Sequence, residues 1–376
     1  MINIKICEWL MDNADAPIRY RVARELLCDE KAAEKIEKEL LENREVQYWL
    51  SILKPQTPPQ HWSMEHGSFD FCLENALPKI VKLGLHGGFS QLRDALIYYI
   101  DKMKRVESLD FYIGKMQNIA VSYRKGQLFF AVLIANLLSL ANINDESTLK
   151  FMLGSLDEMY NFTQKKIYDI YLDEEERKKL KNIPKNWRNT DFFIKPELVR
   201  KYGFSYPLIY DIVGMHRLYD LKNSEVDNKI NEIISYLSTD EFHNKISDGY
   251  GILVEEDGRY HGMGWDPKYP GWYGLSQYMN SGNIPKLLFF AENISKYSPA
   301  TTTKWFNDLL LYLENYKTET GTYLLPSKWL KESVGYAVQG HHLSFGENRR
   351  KRNYLEIEST FYVQLLQQKL TAETNC

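Results

Sequence analysis

Helical periodicity runs through nearly all of this chain, and short turns repeatedly stop and restart it. Residues 71–83 and 89–103 carry helix patterns joined by Gly84-Leu85-His86-Gly87-Gly88, where glycine ends one helix before the next begins. The same punctuation joins 127–141 to 146–165 across a turn in which Asp145 is a cap. It joins 196–221 to 224–238 around Asn223, and 285–297 to 301–316 across 298–300. A final pattern covers 350–370. Ahead of these, residues 17–27 follow an Asp15 cap with Pro17 in the first turn, and 30–53 continue as a helix with one charged face. Period-two alternation is confined to 251–254 and 323–325. A helix pair joined by a short turn cannot bury its apolar face alone, so such pairs must stack. The expected class is all-α: an α/α toroid of helical hairpins, a six-hairpin-like barrel, with an N-terminal helical extension. The proline-rich stretch 54–60 separates that extension, residues 1–53, from the main domain, 61–376.

Composition narrows the function classes. Hydrophobic residues at 44% with 26% charged exclude a disordered chain, and a net charge of −3 supplies no field for nucleic acid. The acidic run 173–176 reads as a solvated helix start, and the basic run Lys178-Lys179-Leu180-Lys181 after it as a solvated face. The longest apolar stretch, 128–143, is broken by Asn136, Ser139 and Asn142 and is too short to span a membrane. Residues 1–11 do not have the form of a secretion signal. Four cysteines without a CxxC spacing point to a reducing compartment and not to a disulfide frame or zinc site. A cytoplasmic protein is expected. Aromatic content of 14% suits a large core with an aromatic-lined central cavity for a small molecule.

Loops carrying Asp-Gly-x-aromatic sequences between helix pairs resemble those of the terpenoid cyclase and protein prenyltransferase superfamily. Trp9-Leu10 followed by Asp15-Ala16-Pro17-Ile18-Arg19-Tyr20-Arg21 looks like the opening of squalene-cyclase-like bacterial proteins. Gly346-Glu347-Asn348-Arg349-Arg350 leading to Glu356-Ile357-Glu358-Ser359-Thr360-Phe361 looks like their ending. The resemblance implies the toroid and a largely apolar, isoprenoid-like ligand. The Asp-x-Asp-Asp acid, the Asp-Asp-x-x-Asp diphosphate site and the prenyltransferase zinc set have no counterpart here, so it implies no standard cyclase activity.

The densest candidate site is Gly340-His341-His342-Leu343-Ser344-Phe345-Gly346-Glu347-Asn348-Arg349-Arg350. Adjacent His341 and His342 point different ways, so they are ligand or proton-transfer candidates and not a metal pair. Asn348 is placed to cap the last helix. Arg349 and Arg350, with Glu347 beside them, are placed to hold an anion at its start. Within that helix Glu358 falls on the apolar face, where a carboxylate needs a partner or a proton. It reads either as half of an ion pair with Arg349 or Arg350, or as a general acid or base. Asp211 lies on a second buried stripe and is its possible catalytic partner.

A glycine-rich loop brings Asp257, His261, Trp265, Asp266 and Trp272 together as an alternative acid–base and sugar-stacking set, and Trp62 with His66 reads as cavity lining. The catalytic candidates are thus Glu358, Asp211, His342, Asp257 and His261. No P-loop, dinucleotide fingerprint or Gly-x-Ser-x-Gly motif indicates a cofactor or a serine nucleophile. Two other readings stand beside the isoprenoid-like one: a carbohydrate-active (α/α)6 hydrolase or lyase, and a non-catalytic helical scaffold that binds a protein.

Overall fold

The computed structural model describes residues 3–53, 65–106, 124–143, 145–254, 258–265, 267–330 and 332–368, without the side chains of 124–127 and 263–265. Among the described residues, which form 17 α-helices and few strands, the chain is mainly α as expected. It divides into two compact units. The first comprises Met1–Leu96 with Pro270–Cys376, and the second Ile97–Tyr269.

The first unit opens with α1 (Ile4–Asn13), α2 (Ala16–Arg21), α3 (Glu30–Glu42), α4 (Arg44–Leu53) and α5 (Leu73–Lys82). A π turn, Val22–Leu26, extends α2. Residues 30–53 form two helices where the periodicity suggested one. The break is at Asn43, whose backbone turns extended and whose side chain accepts the Glu45 N–H at 2.9 Å. Asn prefers that helix-initiating role to a helix interior. The boundary to the second unit falls inside α6 (Ser90–Lys104).

The second unit holds α7 (Arg124–Leu140), α8 (Glu146–Thr163), α9 (Glu174–Lys178), α10 (Ile209–Gly214), α11 (Ser224–Leu237) and α12 (Asp240–Lys245). Helix α7 packs on α8 and α10, and α8 on α11, around Leu133, Leu137, Ile212 and Ile233, all at most 1% exposed. Asp145 accepts the Thr148 N–H at 3.0 Å, so the predicted cap is present. Residues 196–221 are not one helix. They begin as a 3-10 turn and the short strands β2 (Val199–Arg200) and β3 (Gly203–Phe204), and only then enter α10. Two prolines, Pro196 and Pro207, fix backbone geometry ahead of α10.

A small sheet of order β1-β4-β5 also belongs to this unit. Strand β1 (Phe193–Ile194) runs parallel to β4 (Tyr250–Val254), which pairs antiparallel with β5 (Tyr260–Trp265). Strand β4 is the stretch whose alternation was visible. Strand β5 was read as part of a loop because its glycines hide any period-two pattern.

The chain then returns to the first unit with α13 (Leu275–Ser281), α14 (Ile284–Ile294), α15 (Ser298–Thr301), α16 (Lys304–Leu313) and α17 (Tyr354–Gln368). Helix α17 packs against α1, α14, α16 and the π turn, and α4 packs against α5. Cys7 and Cys72 are buried free thiols. No helix among the described residues is long and apolar enough to cross a membrane.

Candidate functional site

Helix α5 is buried on its polar side as well as its apolar one: Glu74, Asn75, Lys79 and Lys82 all lie inside the first unit. Buried polar groups need partners, and these four draw two loops onto the helix. Glu74 takes a hydrogen bond from the His66 ring (Nδ1 to Oε2, 2.5 Å) and the weaker Gly67 N–H at 3.4 Å. The Asn75 amide donates to the Gly67 and Phe69 carbonyls, each at 2.8 Å, and its oxygen accepts the Ala337 N–H at 2.9 Å. The segments 65–72 and 332–347 are thereby brought to one end of the unit.

Lys79 carries the second half of this arrangement. Its side chain is 0% exposed, and Nζ reaches Glu332 Oε2 at 2.6 Å, the Ser344 carbonyl at 2.7 Å and Ser344 Oγ at 2.8 Å. Ser344 Oγ also donates to Glu332. Burial alone would raise the Glu332 carboxyl, but Lys79, His342 and Ser344 outweigh it and hold it well below the usual carboxylate range. Glu332 is therefore ionised, and its Oε1 takes the His342 Nδ1 hydrogen at 2.7 Å. That bond fixes the ring orientation, and Nε2 is an acceptor or base on the neutral ring and a donor on the imidazolium.

Nε2 faces Asp70 Oδ1 at 3.5 Å. Both atoms are buried and neither has a hydrogen-bond partner among the described residues. The Trp49 ring meets the imidazole edge-on, 5.0 Å between centroids, and the buried Trp49 Nε1 likewise lacks an acceptor. His342 itself is 3% exposed. It sits at a φ of 61°, just after Gly340 at 86°. A Cβ on Gly340 would stand 2.1 Å from the Pro285 carbonyl carbon, so only glycine lets this turn lie against α14. Apolar side chains are exposed at positions next in the chain to these segments. Tyr48, Phe69 and Val334 are 51%, 58% and 64% exposed. Burial, then the charges of Asp70, Glu45 and Glu332, raise the Tyr48 phenol, which places it in the field of these carboxylates.

The other predicted residues are placed as follows. His341 turns away from His342 to Ser333 Oγ, 3.0 Å from Nδ1. His66 is half-buried and leans on Tyr336 as well as Glu74. Asn348, Arg349 and Arg350 are exposed in a turn, because α17 begins only at Tyr354; they do not form the expected helix start. Asn348 accepts the Arg350 N–H at 3.1 Å, and its own N–H goes to Asp15 Oδ2 at 2.8 Å. Glu347 answers by taking the Asp15 N–H at 2.8 Å, while Lys351 bridges Asp15 and Glu347 at 2.8 and 2.5 Å. Asp15 thus holds the C-terminal loop and makes no side-chain cap on α2.

Glu358 is buried, as its position on the helix face required, but Arg349 and Arg350 do not pair with it. Its Oε1 accepts the Phe345 and Glu347 N–H groups at 2.8 and 3.3 Å. Burial pushes its carboxyl up to about 7, against the pull of the Lys79 charge and those two N–H groups. Ser359 and Thr360 act in the same way, accepting the Leu325 and Tyr323 N–H groups at 3.1 and 2.9 Å. The run Glu358-Ser359-Thr360 satisfies loop amides that no helix or sheet serves.

A second buried charge cluster lies in this unit. Arg21 binds Glu25 and the Lys82 carbonyl and lies over the Phe345 and Phe361 rings, at 5.5 and 5.1 Å. Lys82 pairs with Glu292 and lies 4.7 Å from the Phe345 ring centre. Its charges answer one another.

Asp211 belongs to the second unit and Glu358 to the first. Asp211 accepts the Leu208 N–H and the Asn136 amide, both at 2.8 Å, and so ties the start of α10 to α7. Burial pushes its carboxyl up to about 6 against these two bonds. His261 stands on β5 opposite Leu253, and Trp272 is half-buried in the first unit. Trp62, Asp257 and Asp266, and the Trp265 side chain, lie outside what is described. No group of three or more His, Cys, Asp or Glu able to hold a metal occurs among the described residues.

No family model, no curated protein and no solved structure matches this chain. The site rests on its geometry. Sequence reasoning found His342 but missed Asp70, Lys79, Glu332 and Trp49. A signal was present in part: Glu74, Lys79 and Lys82 interrupt an otherwise apolar helix, which marks a helix with buried charge.

Proposed function

We propose that this chain binds a small molecule at the end of its first unit and can move a proton on it, with His342 as the base or acid. One observation carries the reading: His342 Nε2 and Asp70 Oδ1 are buried, 3.5 Å apart and without hydrogen-bond partners among the described residues. Native proteins rarely leave such atoms unsatisfied, and a bound group or an ordered water is the ordinary explanation of those they do. Glu332 is the positioning residue. It fixes the imidazole through Nδ1 and is itself fixed by Lys79 and Ser344.

The ligand presents a polar head to His342 and Asp70 and an apolar body to the exposed surfaces of Tyr48, Phe69 and Val334. That agrees with a largely apolar ligand held by aromatic residues, as the squalene-cyclase-like resemblance implies, and the toroid architecture goes with the same proposal. Its support is the helix content and the packed pairs such as α7 with α8 and α4 with α5. Proton handling moves to His342, because Glu358 and Asp211 spend their carboxylates on backbone and amide donors.

The test is thermal unfolding of the wild type, Asp70→Asn and His342→Gln against amphipathic small molecules, with oligosaccharides as the competing class. A ligand at about a hundred times its Kd stabilises by about 2.7 kcal/mol. We expect such a shift in the wild type and its loss in both variants. A ligand that stabilises all three proteins equally binds elsewhere and defeats the assignment.

A further inference from the structure

We infer that the polar head recognised by His342 and Asp70 is a primary ammonium group. The inference rests on the binding site proposed above and goes beyond it in naming the ligand chemistry.

The argument is one of hydrogen-bond roles. We assign the neutral His342 ring to the ligand-binding form: with Nδ1 donating to ionised Glu332, its Nε2 atom is then an acceptor. Asp70 Oδ1 is an acceptor as well, so two acceptors face each other at 3.5 Å. A ligand hydroxyl brings one hydrogen and satisfies one of them. An ammonium brings three and satisfies both, with one to spare. A ligand carboxylate or phosphate would add a third acceptor and meet two carboxylates.

Charge points the same way. The carboxylates facing this point are Asp70 and Glu332, with Glu45 beside Tyr48. The cation packed against them is Lys79, held by Glu332 and Ser344. On the neighbouring loop His66 is engaged with Glu74. Among the described residues the carboxylates outnumber the cation, so a ligand cation is favoured. Aromatic neighbours add to this: Trp49 meets the His342 ring, Tyr48 meets Trp49 at 5.5 Å, and Phe69 stacks on Phe71 at 5.2 Å with its outer face open. Aromatic faces attract organic cations and accept their apolar substituents.

The test uses benzylamine and its hydroxyl counterpart, benzyl alcohol, on the full chain at neutral pH. Histidine ring resonances are followed by NMR, with His342→Gln assigning the His342 signals. We expect benzylamine to shift the His342 resonances saturably and benzyl alcohol to do so more weakly. Asp70→Asn should weaken benzylamine binding roughly ten- to a hundredfold, the effect of losing one charge-assisted hydrogen bond. If benzyl alcohol binds as tightly as benzylamine, or Asp70→Asn leaves benzylamine binding unchanged, the ammonium assignment is overturned while the site stands. If neither compound moves the His342 resonances, the ammonium assignment and the site fall together.

Discussion

Replacing Glu358 with glutamine should make the first unit more stable at mildly alkaline pH, although it removes a buried residue's native side chain. Glu358 is 2% exposed, and its carboxyl is raised from 4.5 to about 7, first by burial. The sign follows from proton linkage. Below 4.5 the carboxyl is neutral in both folded and unfolded chains. Between 4.5 and about 7 the folded chain keeps a proton that the unfolded chain has released, so stability falls as pH rises. Above that window the full penalty applies: a shift of two and a half pH units is about 3 kcal/mol, of which about 2.5 kcal/mol is lost between about pH 5 and pH 8.

Glutamine keeps an acceptor for the Phe345 and Glu347 N–H groups and carries no charge to desolvate. The stability difference between variant and wild type should therefore move in the variant's favour by about 2.5 kcal/mol across that range. Glu347, Glu158 and Asp211 also have raised carboxyls, but they are present in both proteins and cancel in the difference. Urea unfolding followed by tryptophan fluorescence suits the measurement, because Trp9, Trp49, Trp272, Trp305 and Trp329 all belong to the first unit. Parallel stability curves for the two proteins from pH 5 to pH 8 would refute the reasoning. They would mean that Lys79 compensates the Glu358 charge and that burial imposes no net cost.

Lys79→Met should cost about 3 kcal/mol or more, because it leaves the ionised Glu332 facing a buried site without its cation; Lys79→Met with Glu332→Gln should recover part of that, read from a double-mutant cycle of urea midpoints. Gly340→Ala should cost about 2 kcal/mol or more, from the positive φ and the clash with the Pro285 backbone together, and should lower the melting temperature without altering the pH dependence.

The sequence carried more of the fold than of the site, for a physical reason. Helices announce themselves locally. Asp145 caps where expected, Asn223 caps at the junction the periodicity marks, and the acidic run 173–176 forms a solvated, boxed helix start. The sheet did not announce itself, since β1 is two residues long and β5 is glycine-rich. At the site, burial of Glu358 was legible from its helix face. Its partners were not, because backbone N–H groups leave no mark on a sequence. Lys79 and Glu332 are 253 residues apart, and Asp70 is a single carboxylate in a loop, so nothing periodic marks either.

What separates anchoring from function in this unit is whether buried polar atoms are satisfied. Asn75, Ser359, Thr360 and the Oε1 atom of Glu358 are each matched to backbone groups, and each match holds a loop to α5 or α17. Arg21, Lys82, Glu25 and Glu292 neutralise one another. Lys79 and Glu332 belong to the satisfied set as well, and what they hold in place is the His342 ring. The next atoms outward, His342 Nε2, Asp70 Oδ1 and Trp49 Nε1, have no partner. The charges that hold the His342 ring, on Lys79 and Glu332, are answered directly beside these atoms. Leaving a base, a carboxylate and an indole N–H unanswered beside an open aromatic rim is the arrangement a ligand completes, and its stability cost is justified by binding.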